Sequence, residues 1–589
     1  MDNPAPTDVA IQLSAIAWLV LVIVVVLSFG LALLCRRRYV AAVVRLQGRS
    51  KVEPNESWSA APTVQPLRLV AEELADGAGP DVAVGAVRLR RAILASQLAS
   101  DIVFWCGFLV LCLLGPALIP AVLHAIRTGD TSVLRAVIGL LSLGFSSDLP
   151  FSPVWVTLAF GVMWLVIPPI LVIATQTAVR PKHVYVPVAA VVAAWVAETM
   201  RISWLVAPIA IVVVIAAVGA AVLFLHDPRV RGAASSLIVA LSLGLTAWTT
   251  IPLVAVLYFE DGTQADTSFS ASDILFLAAY LLVIAATSVG VLFGLARAYQ
   301  RKHFSDIQLA NAAFWLPTTT AAFGLGAAMS QGTSVGTMLG EVGALLVWAF
   351  GVMYVRRRWR RRLLRTAPPP TGGLLILRVF KRPVQSEELI DRLLSYWRFA
   401  APVHFIGGPD LAGASIEPDE FFAFMRGQLA QRFVRTAPEI GAAVDRLDRE
   451  RDPDSRFRVN ELFCAEDTWR ETIRVLMTQA GVVLLDLREY KESHVGTRYE
   501  IYQLMNVVSV DRVIVLLGSA EDTDAISTEL YQAWAAMVES SPNRRLVHPE
   551  LQLCRMRSGS AAEVKTLFLR IHARAMNASA APPAAAPPA

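Results

Sequence analysis

The sequence is short of charged residues for a chain of 589 residues. Asp, Glu, Lys and Arg make up 17% of it, whereas soluble globular domains contain about 25%. Hydrophobic residues make up 55%, and the mean hydropathy is +0.52. This composition argues against a wholly soluble protein and indicates that a large part of the chain lies in lipid. The length allows several folding units, because one hydrophobic core seldom exceeds about 250–300 residues.

Cysteine is also scarce, with five residues in the chain, and the eight histidines are scattered. There is no CxxC pair, Cys/His cluster or HExxH motif, which argues against a disulfide framework and a metal site. A GxxxxGK[ST] phosphate loop and a nucleophile elbow are missing too. The formal net charge is +5, but the arginines cluster beside apolar runs, where they set membrane topology more often than they bind nucleic acid. We therefore expect neither a metal nor a nucleic-acid partner.

The first long apolar run, 9–35, has the flanks of an uncleaved membrane anchor. Asp2 and Asp8 precede it and a basic cluster, 36–38, follows it, whereas a signal peptide carries its positive charge before the apolar stretch. A helix of this length crosses the hydrocarbon core, which is about 30 Å thick and needs about 20 residues. We therefore expect residues 1–8 outside the cell.

Eight further apolar runs predict a membrane domain over 9–355, an all-α bundle of about nine transmembrane helices. Basic residues follow every odd-numbered run, which is the positive-inside pattern of a multi-pass protein of the inner or plasma membrane. The C-terminus and the loop 36–97 are then cytoplasmic, and this loop contains a short helical pattern near Leu67–Leu74. A weaker segment, 132–145, is left open as re-entrant or interfacial. The eight runs are 98–125, 152–176, 184–200, 203–225, 233–258, 273–296, 308–329 and 335–355.

Two features of the membrane domain bear on its function. Glu341 is the ionisable residue that lies well within a predicted span, and such residues usually mark transport pathways. Because they are so few and no internal repeat is visible, we favour a structural or sensory module over a transporter or channel. Gly332, Gly336 and Gly340 are spaced by four and share a helix face that permits close packing. That face serves either packing within the bundle or self-association in the lipid bilayer.

The chain changes character after the membrane domain. The segment 356–373 combines a basic stop signal with a Pro/Gly linker that we expect to end in a flexible hinge. Beyond it, short apolar strands alternate with amphipathic helices, which predicts a cytoplasmic α/β domain of flavodoxin-like plan with a parallel sheet over 374–576. We also predict an insertion at 436–463 and a disordered Ala/Pro tail at 577–589. The predicted strands are 374–380, 403–406, 482–487, 513–517 and 551–554, and the predicted helices are 385–398, 419–434, 467–479, 497–507 and 523–538.

The centre of this domain resembles the Toll/interleukin-1 receptor (TIR) family. The resemblance lies in the helix 468–480, the buried strand 481–487, the loop that ends at Tyr490 and the start of the next helix, 496–501. TIR domains have the same succession, with a glutamate at the start of that next helix. The resemblance covers about 374–555 and implies a signalling or defence domain that assembles, binds a nucleotide or hydrolyses NAD. Nucleotide-sensing and deoxyribosyltransferase-like domains share this plan and stay open as alternatives.

The resemblance also supplies candidate site residues. Glu500 matches the glutamate that engages the nicotinamide ribose in TIR enzymes, and it is the predicted catalytic residue; a carboxylate there stabilises positive charge on the sugar. The first turn of a helix favours the ionised form, because the helix dipole is positive there. The alternative is an ordinary solvated acid at a helix start. Arg378, Asp410 and Asp486 are the predicted NAD-binding residues, since they lie at or after strand ends, where nucleotides bind in such sheets.

Two functions from different classes follow from the sequence. The first is a polytopic membrane protein with a cytoplasmic TIR-like signalling or defence domain, which binds NAD or hydrolyses it through Glu500. The second is a transporter or channel regulated by a cytoplasmic nucleotide-sensing domain. Turnover of NAD that is lost on Glu500→Ala distinguishes the first from the second.

Overall fold

The computed structural model of the chain contains two compact units, and each is described by itself. The helical unit comprises residues 1–38, 94–361 and 415–422, and the sheet unit comprises residues 39–93, 362–414 and 423–589. The residues that the structure describes are 6–47, 65–74, 84–129, 229–259, 271–313, 315–316, 319, 335–365, 372–378, 384–407, 416–465, 467–491, 494–519 and 523–580.

Five long helices contain five of the predicted apolar runs, and each helix extends beyond its run at both ends or at one. The helices are α1 (Pro6–Gln47), α2 (Val84–Thr128), α3 (Arg231–Phe259), α4 (Ala271–Gln300) and α5 (Val335–Arg365). The predicted spans 152–176, 184–200 and 203–225, most of 308–329, and the segment 132–145 lie outside the described residues.

The described residues do not support the predicted bundle of nine spanning helices. Within them, one helical stretch, Ala278–Gln300 of α4, is long and apolar enough to cross a bilayer. Arg231–Leu245 of α3 is apolar but shorter. The membrane topology therefore stays a prediction from the pattern of basic residues.

Two helices of the helical unit pack antiparallel. Near the start of the apolar run in α2, Asp101 accepts a hydrogen bond from Arg356 Nη1 of α5 at 2.6 Å. Trp348 Nε1 of α5 donates to the carbonyl oxygen of Phe104 of α2 at 3.2 Å. Phe104 follows Asp101 in α2, whereas Trp348 precedes Arg356 in α5. The indole lies so close to Gly107 that a Cβ there would be 2.1 Å from a ring carbon, so the contact requires glycine. The start of one apolar run thus lies beside the end of the other.

The sheet unit is built on eight parallel strands, which confirms the predicted α/β class. Their order is β1-β8-β7-β6-β2-β3-β5-β4. The central order β3-β2-β6-β7-β8 is that of a flavodoxin-like sheet, in which the chain reverses direction across the sheet between its first and third strands. The strands are β1 (Arg68–Glu73), β2 (Leu374–Arg378), β3 (Val403–Gly407), β4 (Phe433–Val434), β5 (Val459–Cys464), β6 (Val482–Asp486), β7 (Val513–Leu517) and β8 (Glu550–Arg555).

Helices cover both faces of the sheet, which explains why the central strands are apolar along their whole length. Every residue of β2, β6 and β7 is buried. One apolar core lies between the sheet and the helices that follow β5, β6 and β7, and the other lies against the helices that follow β2 and β8. The helices of the sheet unit are α6 (Val384–Trp397), α8 (Glu439–Asp445), α9 (Trp469–Gln479), α10 (Val495–Val507), α11 (Thr523–Ala535) and α12 (Ala561–Ala580), whereas most of α7 (Pro418–Met425) belongs to the helical unit.

The helix predicted near Leu67–Leu74 is wrong, because this segment forms strand β1. It pairs in parallel with β8, from Arg68 opposite Glu550 onward, and so extends the sheet beyond the flavodoxin-like core. Side chains fix the pairing, since Arg68 Nη1 contacts Glu550 Oε1 at 3.0 Å and Glu72 accepts hydrogen bonds from Gln552 and Arg570. Six residues carry too little periodicity to separate helix from strand, and the partner strand decides.

Two predictions around the insertion also need correction. The helix predicted over 419–434 ends at Met425, because Gly427 adopts φ +67°, a left-handed conformation that ends helices. The predicted insertion, 436–463, ends in β5, which pairs with β3 along its length. Its last five residues therefore belong to the sheet.

The segment that joins the units differs from the predicted linker at both ends. The basic stop signal is helical, since α5 continues to Arg365. Gly372 and Gly373 are a fixed entry into the sheet, where a hinge was predicted. A Cβ on Gly372 would lie 2.6 Å from the Cα of Gly481, and Gly481 N donates to Gly373 O at 2.9 Å. At the other end of the sheet unit, α12 continues to Ala580, into the predicted disordered tail.

Candidate functional site

The carboxyl edge of the sheet contains two of the predicted site residues side by side. Arg378 ends β2 and Asp486 ends β6, and the two are direct partners in the register. They alternate with Leu377 and Leu485, so both belong to the same face of the sheet. The chain reverses between these two strands, which is where open α/β sheets bind ligands. Asp410 lies outside the described residues.

Asp486 is fully buried, and a neighbouring arginine already occupies its carboxylate. Arg488 Nε donates to Oδ1 at 2.9 Å and Nη2 donates to Oδ2 at 2.8 Å. Such a bidentate ion pair is strong and directional. The backbone N–H of Arg488 also donates to Asp486 Oδ1 at 3.2 Å. Asp486 thus holds the loop after β6 in place. Sequence reasoning missed Arg488, although acid and arginine two residues apart at a strand end are a usable signal.

Glu500 is also buried, but unlike Asp486 it has no arginine on its carboxyl group in the described part of the chain. It is 2% exposed, and its Oε2 atom has no hydrogen-bond partner among the described residues. Burial removes the carboxylate from water and raises the pKa of Glu500 to about 8. An unsatisfied buried polar group costs about 1–3 kcal/mol, so its retention in the fold points to a ligand or a reaction.

The environment expected for Glu500 is therefore wrong in two respects. Helix α10 begins at Val495, so Glu500 lies in its second turn, beyond the part where the helix dipole acts most strongly. The side chain is buried, which also overturns the alternative of a solvated helix acid. Desolvation dominates, and the acid is held in its neutral form at pH 7.

The predicted residues do not all lie on one face. Ile501 and Leu504 of α10 pack in the same core as Leu375 and Leu377 of β2. Since side chains alternate along a strand, Arg378 belongs to the opposite face. The structure thus brings Arg378 and Asp486 together and places Glu500 on the helix that covers the other face.

An aromatic and arginine cluster lies where α9 and α10 begin. The rings of Trp469 and Tyr499 meet edge to face with centroids 5.4 Å apart. The guanidinium of Arg470 lies 5.5 Å from the first ring and 5.3 Å from the second, within the range of cation–π attraction. Gly496 faces Trp469, since a Cβ there would lie 3.9 Å from the indole. The sequence pattern did not reveal this cluster, whose member Tyr499 directly precedes Glu500 in α10.

The chemistry that this edge offers is that of ligand binding by a buried acid. In the described ranges, no group of three or more His, Cys, Asp or Glu side chains is placed to hold a metal ion. Near this edge lies a buried neutral carboxyl that can donate or accept a hydrogen bond, and Tyr499 of the aromatic and arginine cluster directly precedes it in α10.

Comparison with known proteins gives no further identification. No family model, curated protein or solved structure matches the chain significantly.

Proposed function

We propose that this chain is a multi-pass protein of the inner or plasma membrane whose cytoplasmic TIR-like domain binds NAD in a signalling or defence role. The observation that carries the proposal is Glu500, a buried carboxyl without a partner for Oε2 on the helix that follows β6. The ribose hydroxyls of NAD are donors for such a carboxyl, and the positively charged nicotinamide ring favours its ionised form. The flavodoxin-like strand order, with its reversal between β2 and β6, supports a nucleotide site at this edge.

The aromatic and arginine cluster supports the same ligand. A nucleotide offers flat rings that stack on side chains such as Trp469 and Tyr499. Its phosphates suit a guanidinium such as Arg470, whose charge persists at any physiological pH. Arg378, on the other face of the sheet, is the second candidate for contact with the phosphates.

Hydrolysis is the extension of this proposal. The bond between the ribose carbon and the nicotinamide nitrogen breaks, and nicotinamide leaves as a neutral molecule with the bonding electron pair. The oxygen of water then bonds to the ribose carbon, and one proton goes to solvent. Ionised Glu500 stabilises the positive charge on the sugar. With a pKa of about 8 in the free protein, Glu500 is mostly neutral at pH 7, so cleavage depends on the ionised form that the nicotinamide charge favours.

The test uses the full-length protein in detergent, titrated with NAD and assayed for released nicotinamide. We expect Glu500→Gln to weaken binding at least about tenfold, since one buried hydrogen bond to a charged group is worth about 1.5–3 kcal/mol, and to abolish turnover. Glu539→Gln, at an exposed position after α11, is the matched control and should bind as the unchanged protein does. Absence of NAD binding, or equal binding by both variants, contradicts the proposal.

Strand β1 supports the proposed membrane topology. It comes from the segment between α1 and α2, yet it pairs with β8 near the end of the chain. Both segments must then lie on the same side of the membrane, so the chain between them crosses it an even number of times. The eight spans predicted between residues 98 and 355 meet this condition. The contact of Asp101 with Arg356 agrees with it, because it places the start of the first of these spans beside the end of the last.

Labelling of cysteines tests this topology. Arg68→Cys and Val547→Cys place a thiol at two exposed positions of the sheet unit. With a maleimide that does not cross membranes, we expect both to react only after the cells are made permeable. Reaction of either one in intact cells contradicts the cytoplasmic assignment.

Self-association is part of the same proposal, through the cytoplasmic domain and the face formed by Gly332, Gly336 and Gly340. Gly336 and Gly340 lie in α5, and Gly332 precedes the described part of that helix. Substitution of Gly336 by Leu should separate the copies in detergent, because a large side chain blocks the close approach of two helices.

The second candidate function is a transporter or channel regulated by the sheet unit. The partly buried ion pair between Asp101 and Arg356 favours it, because paired charges among apolar helices often line transport pathways. Flux through the reconstituted protein that is lost in Asp101→Asn supports this function. A protein that shows no flux but binds NAD supports the first.

A further inference from the structure

A cavity lies at the amino edge of the sheet, opposite the edge to which Glu500 belongs. It measures about 230 Å³ and lies entirely within the sheet unit. Since one water takes about 30 Å³ in the liquid, it has room for roughly eight waters or one small organic molecule. Its walls include Pro402, His404, Leu447, Arg449, Leu476 and Gln479.

His404 is the unusual residue of this cavity. It is 9% exposed, and its Nδ1 atom is buried without a hydrogen-bond partner in the described structure. The ring lies against Gly373, where a Cβ would be 2.4 Å from Nε2, so glycine is required there. Burial, and then the charge of Arg449, lower the pKa of His404 to about 4. The ring is neutral at physiological pH and offers one donor and one acceptor.

Arg449 gives the cavity a positive charge. Its Nη2 atom donates to Gln479 Oε1 at 2.9 Å, and within the described ranges no carboxylate lies within ion-pair distance of it. Asp448, its neighbour in sequence, is instead oriented toward Arg458 at 3.8 Å. Arg449 is exposed, so its guanidinium is open to an anion that enters the cavity.

We propose that this cavity binds a small organic anion, with its acid group on Arg449, its apolar body against Leu447 and Leu476, and one hydrogen bond to His404. In this proposal the anion acts as an effector of the sheet unit. The cavity also includes Gly372 and Gly373, by which the chain enters β2, so a bound effector stabilises the start of the central strand. This site is independent of NAD binding at the other edge.

Benzoate and its neutral analogue benzamide are suitable probes, since they share size and shape but differ in charge. We expect 10 mM benzoate to raise the thermal unfolding midpoint of the full-length protein in detergent by about 2 °C or more. A ligand that binds the folded state and not the unfolded state stabilises the folded protein. Benzamide and inorganic phosphate should have little effect, because one lacks the charge and the other lacks the apolar body. Phenyl phosphate should act as benzoate does if the acid group can be a phosphate.

Two variants and a control make this test specific. Arg449→Gln should weaken benzoate binding about tenfold, and Leu447→Trp, which fills the cavity, should abolish it. Arg446→Gln removes the same charge at an exposed position three residues earlier that does not line the cavity, and it should leave binding unchanged. The proposal is wrong if neither benzoate nor phenyl phosphate binds, or if Arg449→Gln and Arg446→Gln behave alike.

Chemical modification gives a readout that does not depend on stability. Diethyl pyrocarbonate reacts with neutral imidazole, and at pH 6 His404 is in that form. We expect benzoate to slow modification of His404 at least about threefold, while modification of the exposed His548 is unchanged. Equal rates of His404 modification with and without benzoate would show that benzoate does not bind in this cavity. This readout holds even where a variant changes the stability of the protein.

Discussion

Asp486 and Glu500 are both buried near the carboxyl edge of the sheet, one at the end of β6 and the other on the helix that follows it. Arg488 occupies both oxygens of Asp486, whereas Oε2 of Glu500 has no partner in the part of the chain that the structure describes. The difference teaches that burial of an acid does not by itself mark a functional site. A buried acid with a guanidinium holds the fold together, and one without a partner is available to a ligand.

The largest effect should come from breaking the satisfied pair. Arg488→Met leaves Asp486 buried without a counter-charge, which typically costs about 3–5 kcal/mol. We expect a correspondingly lower midpoint of urea unfolding, followed by proteolysis of the full-length protein. The double variant with Asp486→Leu should recover most of the loss, because it removes the charge as well as its partner. Equal instability of both would show that Arg488 acts by packing alone.

The unsatisfied acid should behave in the opposite way. Glu500 stays protonated in the folded protein up to pH about 8, but it ionises above about 4.5 in the unfolded chain. The folded state therefore binds more protons between these values, and its stability falls as the pH rises through that window. Glu500→Gln should flatten this dependence and stabilise the protein by roughly 4 kcal/mol at pH 8. A wild-type unfolding midpoint that does not change between pH 5 and 8 would contradict the burial of this acid.

A third prediction concerns the reaction that rests on the proposed function. If ionised Glu500 stabilises the sugar cation, the rate of NAD cleavage follows the ionised fraction. The rate should then rise about fivefold from pH 7 to pH 8, as expected for a group with a pKa of about 8. Nicotinamide release at NAD concentrations well below KM measures it, because that regime reports the free protein, and a rate that falls over this range would assign the chemistry to a different group.

The smallest effect should come from an acid that is neither buried nor unpaired. Glu471 forms an exposed pair with Arg474 at 2.7 Å on α9, and such pairs are worth about 0.2–1 kcal/mol. We expect Glu471→Gln to lower stability by less than about 1 kcal/mol and to keep the pH dependence of the unchanged protein. A larger loss would indicate that the first turn of α9 carries an additional contact.

The central sheet could be predicted from the sequence because it is buried on both faces. The predicted strands 374–380, 482–487 and 513–517 contain β2, β6 and β7, and their alternation with helices predicts the flavodoxin-like plan. Strands β1 and β5 could not be predicted in the same way. Each lies outside that alternation, and pairing with a distant strand, rather than local pattern, decides its conformation.

The candidate site was only partly predictable for a similar reason. The sequence places Arg378 and Asp486 at strand ends, and the register brings them together. Whether a carboxyl is satisfied depends on atoms that the chain pattern does not specify, such as the guanidinium of Arg488. The same holds for Glu500, whose helix begins two residues before the predicted start, so that desolvation replaces the favourable dipole.

The pairing of β1 with β8 has a consequence for synthesis of the protein. Arg68 and its partner Glu550 are 482 residues apart, and ribosomes add about 5–20 residues per second. Strand β1 is therefore synthesised roughly 25–100 s before its partner β8. During this interval its backbone donors and acceptors are unpaired. The charges of Arg68, Glu72 and Glu73 suit this interval, because charged edge strands resist joining with those of other nascent chains.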